Sequence, residues 1–142
     1  MQYIIGIVSC YNKDMEKQKL AIKINKPVKD VFAFTINPKN TPKWIDAIVI
    51  EETNEWPPQI GTIYRNQDKT GQWREIKMTT FEPDKMFVMS EENGFHIRYT
   101  FTPLNINTTE LECYLWMDSG ELKDTLTMEI LEKLKQIIEA ES

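Results

Sequence analysis

The most regular pattern of apolar and polar positions lies near the end of the chain. Leu122, Leu126, Ile130, Leu131, Leu134, Ile137 and Ile138 recur at spacings of three and four, with Glu129, Glu132, Lys133, Lys135, Gln136 and Glu139 filling the other side. That stripe predicts an amphipathic helix over Leu122 to Ala140, about 28 Å long at roughly 1.5 Å per residue. A helix with one apolar face needs a partner surface, and the rest of the chain supplies period-two patterns instead.

Lys17 to Asn25 alternates, with Leu20, Ile22 and Ile24 on one side and Lys19, Ala21 and Lys23 on the other, which predicts a half-buried strand. Pro27 suits the first position of a helix, and Val28, Val31, Phe32 and Thr35 share a face after it. Asn37-Pro38 repeats that start signal, and Pro42 restricts the second helix to about a turn, closed by Trp44 and Ile45. Six further strands follow: Ala47 to Glu52, Ile60 to Gln67, Gln72 to Phe81, Met86 to Glu92, Phe95 to Thr102 and Thr109 to Asp118. Their boundaries are turn signals: Trp56-Pro57-Pro58, Asp68-Lys69-Thr70-Gly71, Glu82-Pro83-Asp84 and the hairpin pair Asn93-Gly94. Ser119-Gly120 hands over directly to the long helix. The fold class is therefore α+β: a curved, seven-stranded antiparallel sheet wrapped around a long C-terminal helix, with two short helices between strands 1 and 2.

Composition narrows the class without changing the picture. The 142 residues are 41% hydrophobic and 27% charged, suited to one domain over residues 16–142, with residues 1–15 as an extension forming an added edge strand or an arm. Seventeen basic against twenty-two acidic residues give a net charge of −5 without a basic cluster, which argues against nucleic acid. The N-terminal YIIGIV is too short for a membrane span, so no membrane insertion is expected. Cys10 and Cys113 have no CxxC spacing and no neighbouring His, which points to reduced thiols and a cytoplasmic protein.

The order of elements, together with KPVKDVFAFTINPKNTPKWIDAI, resembles the START-like or SRPBCC superfamily, the helix-grip fold of the birch-pollen allergen. The residues that carry it are Pro27, Val28, Val31, Phe32, Asn37, Pro38, Pro42, Trp44, Gly61 and Thr62, with Phe81-Glu82-Pro83 and Phe101-Thr102-Pro103 matching strand-end patterns. The match is closest to polyketide cyclase/dehydrase-like and lipid-transport-like members and covers roughly residues 18–140. Residues 1–15 fall outside it, and the link between last strand and helix is shorter than in many relatives. The resemblance implies an internal cavity between sheet and helix.

Strand parity proposes the wall of that cavity. Arg74, Ile76, Met78 and Thr80 share one face; so do Ile97, Tyr99 and Phe101, and Leu111, Cys113, Leu115 and Met117; Tyr64 shares its face with Ile60 and Thr62. The run MFVMSEE is apolar on both faces and stays ambiguous. The candidate ligand-binding residues are Trp44, Tyr64, Arg74, Met78, Met89, Tyr99, Cys113, Met117, Leu126 and Ile130, with the methionines as deformable wall. The competing reading of each is ordinary core filling. An inward Arg74 requires a partner: a Tyr hydroxyl, a carboxylate or an acidic ligand head-group.

Catalytic signals are weak. His96, the only histidine, sits by parity with Arg98 and Thr100 on the outer face, so no Ser-His-Asp arrangement is argued. The pairs Glu51-Glu52, Glu91-Glu92 and Glu110/Glu112 fall at strand ends or alternate outward, as a solvated face would. No metal motif is present, and no cofactor is expected. Trp116 shares its face with Glu112 and Tyr114, opposite the wall, where an exposed aromatic pair would suit a dimer contact; a monomer and a homodimer both stay open. Three functions follow: a binding or transport protein for a small hydrophobic ligand, lipid-like or aromatic; an enzyme of the cyclase or dehydratase type, needing Arg74, Tyr64 and Tyr99 to converge; and a chaperone-activator-like or dimeric interaction protein. The first fits the residues best.

Overall fold

The computed structural model describes residues 16–141. In chain order the elements are β1 (Lys17–Ile24), α1 (Val28–Ile36), α2 (Thr41–Trp44), β2 (Ile48–Thr53), β3 (Ile63–Asp68), β4 (Trp73–Glu82), β5 (Met86–Ser90), β6 (Phe95–Asn105), β7 (Thr108–Met117) and α3 (Met128–Ala140). The strands form one seven-stranded sheet in the order β1-β7-β6-β5-β4-β3-β2, all neighbours antiparallel. β2 to β7 is a meander, and β1 pairs with the last strand, so α1 and α2 carry the chain from one sheet edge to the other. This is the helix-grip architecture.

The turns follow their residues. Gly94 takes φ 95°, a conformation open to glycine, and lets Glu91 N–H donate to the Phe95 carbonyl at 2.8 Å while Asn93 Oδ1 accepts from Phe95 N–H at 3.0 Å. At Asp68 one carboxylate oxygen accepts from the N–H groups of Thr70 and Gln72 at 2.8 and 3.1 Å, pinning the β3–β4 turn.

The packed core lies where α1 meets β4–β7. The Phe32 ring is 5.0 to 6.0 Å from the rings of Phe101, Phe87 and Phe81, mostly edge-to-face. Ile24, Val31, Leu111, Leu131 and Leu134 are fully buried around it. Each such side chain contributes about 1.5–3 kcal/mol through removal from water. Across the sheet edge α3 is tied to β1 and its following turn, with Lys135 Nζ donating to the Lys23 carbonyl at 2.8 Å and Glu139 accepting from Asn25 N–H at 2.7 Å.

Several sequence expectations are corrected. The C-terminal helix starts at Met128, not Leu122, and is about 20 Å long at roughly 1.5 Å per residue. Thr127 caps it, its hydroxyl accepting from Ile130 N–H at 3.2 Å. Leu122 and Leu126 do point at the core, but from an extended strap rather than a helix face. Polar side chains of the β1 region hold that strap. Glu16 accepts from Leu122 N–H at 2.7 Å, and the Gln18 amide both donates to Leu126 O (2.7 Å) and accepts from Leu126 N–H (2.9 Å), as a strand would. The link between β7 and α3 is thus longer than the sequence suggested. Pro42 lies at the start of α2 instead of ending it. Ile60 precedes β3 and is exposed rather than sharing Tyr64's face.

Beside a register shift at the far end of the β6–β7 ladder, two β-bulges change which side chains face the interior. In β4, Met78 pairs with Met89 but Thr80 with Val88, so beyond the bulge Phe81, not Thr80, turns inward to meet Phe32. In β2, Ile48 pairs with Asp68 but Ile50 with Gln67. That second bulge decides the chemistry of the site.

Candidate functional site

A cavity of about 300 Å³ occupies the part of the grip that α1 leaves unfilled. Its walls are the inner faces of β2 to β7, the buried face of α2 and the strap from Lys123 to Leu126. Ile76, Phe87, Met89, Phe95, Ile97 and Leu115 make the wall apolar, and Trp44, Tyr64 and Tyr99 add large aromatic faces.

A polar row crosses this wall. Glu51, Asn66 and Arg74 are direct cross-strand neighbours on β2, β3 and β4, and all three line the cavity. Glu51 faces inward because of the β2 bulge: Ile48 and Glu51 both reach the cavity, while Val49 and Ile50 are left 53% and 45% exposed. Thr41 Oγ1 donates to Glu51 Oε1 at 2.6 Å and Asn66 Nδ2 to Oε2 at 3.2 Å. Burial raises the Glu51 carboxyl above its ordinary value, and those two donors offset part of the rise.

The aromatic groups differ in how they are tied. Tyr64 OH donates to the Ile36 carbonyl at 2.8 Å, and burial, helped by the Glu51 charge, pushes its hydroxyl well above the usual phenol range. Tyr99 is 7% exposed and lines the cavity. Burial raises its hydroxyl too, with Cys113 and Glu51 adding to the shift. Thr41 and Trp44 share the buried face of α2 one turn apart, and Trp44 Nε1 is buried without a partner.

The mouth is charged. Arg74 binds Glu91 through Nε and Nη2 and reaches Asp124 of the strap from Nη2 at 2.9 Å. Burial works to lower the guanidinium, but its two carboxylate partners outweigh that and hold it above its ordinary value. Two acidic partners thus neutralise the one guanidinium on this wall, and the exposed Lys123 to Thr125, with a second cation among them, complete the rim.

Among the sequence-derived candidates, Trp44, Tyr64, Arg74, Met89, Tyr99 and Leu126 come together around the cavity. Met78, Cys113, Met117 and Ile130 do not line it. Met78 and Cys113 are fully buried in the packed core, while Met117 and Ile130 are half-buried against it. Burial pushes the Cys113 thiol up, which leaves it an inert core residue. Two carboxylates read from sequence as solvated belong to the site: Glu51 inside it and Glu91 on Arg74. No local signal marked Glu51, because regular alternation from Ile48 turns it outward. Among the described residues no three His, Cys, Asp or Glu side chains are grouped to hold a metal.

His96 lies on the outer face as parity indicated, yet it is not isolated. Ser90 Oγ is 2.6 Å from Nδ1, and Nε2 is 3.0 Å from Asp118 Oδ1. The His96 ring stacks on Trp116 at 4.8 Å, Tyr114 lies 5.3 Å beyond, and Arg98 covers Tyr114. Ser90 and His96 are direct partners in the β5–β6 ladder, none of them lines the cavity, and the surrounding strands commit their N–H groups to each other. Among the described residues this Ser-His-Asp chain lies outside the cavity, on strands whose backbone N–H groups are paired in the ladder. Trp116 and Tyr114 are half-buried, short of the exposed pair that would suit a dimer contact. The YIIGIV segment lies outside the described residues.

No protein-family model matches the chain, and no curated protein matches it. Solved structures do. A conserved protein of unknown function from Enterococcus faecalis superposes with TM-score 0.70 at 12% identity, over 89% of this chain and 73% of that one. The Ara h 8.0201 structure gives 0.61 at 13% identity, covering 87% and 97%. A norcoclaurine synthase point mutant from Thalictrum, solved with a transition-state analogue, gives 0.64 at 9% identity, covering 87% and 94%. These likenesses establish the helix-grip fold. Among the described residues no helix is long and apolar enough to cross a membrane.

Proposed function

We propose that the protein binds a small, largely apolar molecule inside the grip, as a carrier or sensor rather than as a catalyst. The observation that carries this reading is the cavity of about 300 Å³ walled by Trp44, Tyr64, Met89, Ile97, Tyr99 and Leu126. A protein of this size ordinarily closes such a space with side chains, since voids larger than a water are few in a packed interior. The volume corresponds to about ten waters, which suits a compact ring or short branched body better than a long acyl chain. Arg74 does not need an acidic ligand, because Glu91 and Asp124 already neutralise it.

The cyclase-type alternative has Arg74, Tyr64 and Tyr99 on one cavity wall. Two of the three are engaged elsewhere, Tyr64 with the Ile36 carbonyl and Arg74 with its carboxylates. Binding is therefore the stronger reading. The test is native mass spectrometry of the purified protein with extraction of any adduct, followed by titration with toluene and naphthalene by NMR. A retained adduct, or saturable shifts confined to cavity residues, supports the proposal. An empty protein that takes up neither hydrocarbon refutes it.

A further inference from the structure

The cavity has a chemical polarity that its apolar walls conceal. Its polar groups are not balanced: the one guanidinium is held between Glu91 and Asp124, whereas Glu51 faces the cavity with no cation on it among the described residues. A carboxylate has about four acceptor sites, and Thr41 and Asn66 occupy one on each oxygen. Capacity for at least one more donor remains. Tyr99, more than nine-tenths buried, brings a phenol to the wall of the same space. Around these two lie the aromatic rings of Trp44, Tyr64, Phe87 and Phe95, whose faces carry partial negative charge.

Building on the binding reading above, we infer that the preferred ligand is a protonated amine on a compact apolar body, its ammonium set between Glu51, the Tyr99 hydroxyl and the aromatic wall. An ammonium has donors and no acceptor, so it matches an unpaired carboxylate and a phenolic oxygen together. Its charge is further stabilised over aromatic faces in a site shielded from water. A carboxylate of the same shape meets the opposite conditions. It would sit beside Glu51, where Arg74 has two acidic partners already and the other cation lining the cavity, Lys123, stands exposed on the strap at the rim. An alcohol keeps the hydrogen bond but not the charge, and falls between.

The test is a matched series on one body, 2-phenylethylamine, 2-phenylethanol and phenylacetic acid, titrated by NMR or calorimetry with toluene as the charge-free control. The amine should bind at least about tenfold more tightly than the acid, with the alcohol between, since charge-assisted hydrogen bonds are about twice as strong as neutral ones. In Glu51→Gln, which keeps an oxygen for Thr41, the amine should lose about tenfold or more while toluene changes less than about threefold. Tyr99→Phe should weaken the amine more than toluene. Toluene binding with acid equal to or tighter than amine, or amine affinity untouched by Glu51→Gln, overturns this inference and leaves the cavity reading standing. Failure of all four probes removes both.

Discussion

The interior of this grip has two halves that differ in what fills them. On one side α1 pushes Phe32 against Phe81, Phe87 and Phe101, and Leu111, Leu131 and Leu134 close the remaining space. On the other side α2 is a single turn, contributes Thr41 and Trp44, and leaves a cavity of about 300 Å³ beneath a strap instead of a helix. The same sheet lines both. The difference lies in what is laid across it: a nine-residue helix with an aromatic face fills a concave sheet, and a four-residue one cannot. Stability should therefore reside in the first half and recognition in the second.

The largest expected effect tests the filled half. Phe32→Ala removes the centre of the aromatic cluster and should cost about 3–5 kcal/mol in denaturant unfolding, with little room for the neighbours to collapse. A loss near zero would mean that this half is also loosely packed.

A paired enlargement sharpens the contrast directly. Leu111→Phe in the filled half should cost about 1–3 kcal/mol through overpacking. Ile76→Phe, at the cavity wall, should change stability by less than about 1 kcal/mol and abolish hydrocarbon uptake. Equal costs for the two substitutions would deny that the cavity is real.

Next in size is the boundary between strap and helix. Thr127→Ala removes the cap of α3 and should destabilise the protein by about 1 kcal/mol. The effect should appear as faster amide exchange at Ile130 and its neighbours. If residues 122–127 were helical, the same substitution would sit mid-helix and be neutral or slightly stabilising.

The smallest effect is a slope. Glu51 in the folded protein lies above its ordinary carboxyl value of 4.5, so the folded state holds this proton more tightly than the unfolded chain. Its contribution to stability is present at low pH and lost as pH rises from the unfolded value through the raised folded one. The stability of the wild type relative to Glu51→Gln should therefore fall as pH rises above the ordinary carboxyl value of 4.5. A flat or rising difference would place Glu51 outside the desolvated wall.

Much of the fold was legible because it depends on local periodicity. The period-two runs of Leu20-Ile22-Ile24 and of Leu111-Cys113-Leu115 placed their buried faces correctly, and Phe32 was recognisable as an inward helical position. Tyr64 and Tyr99 were placed on the cavity side by strand parity, whereas Trp44 was placed there only through the family resemblance. Glu51 and Phe81 were not legible. Each lies beyond a bulge, and one extra residue in a strand reverses every later side chain without leaving a mark in a short apolar run. Leu122 and Leu126 misled in the opposite direction. They continue the spacing of the helical stripe, yet an extended strap can also point two leucines at a core.

The sequence by itself determined that seven strands, two short helices and a terminal helix would form, and which faces of most strands would be apolar, because those properties repeat over a few residues. Only the tertiary structure decided that one half of the interior would be filled and the other hollow. It also decided that Arg74 would be neutralised by Glu91 and a distant Asp124, and that Glu51 would stand in the cavity without a cation among the described residues. Those outcomes depend on register, bulges and contacts between residues far apart in the chain. Such contacts have no period, and local patterns do not encode them.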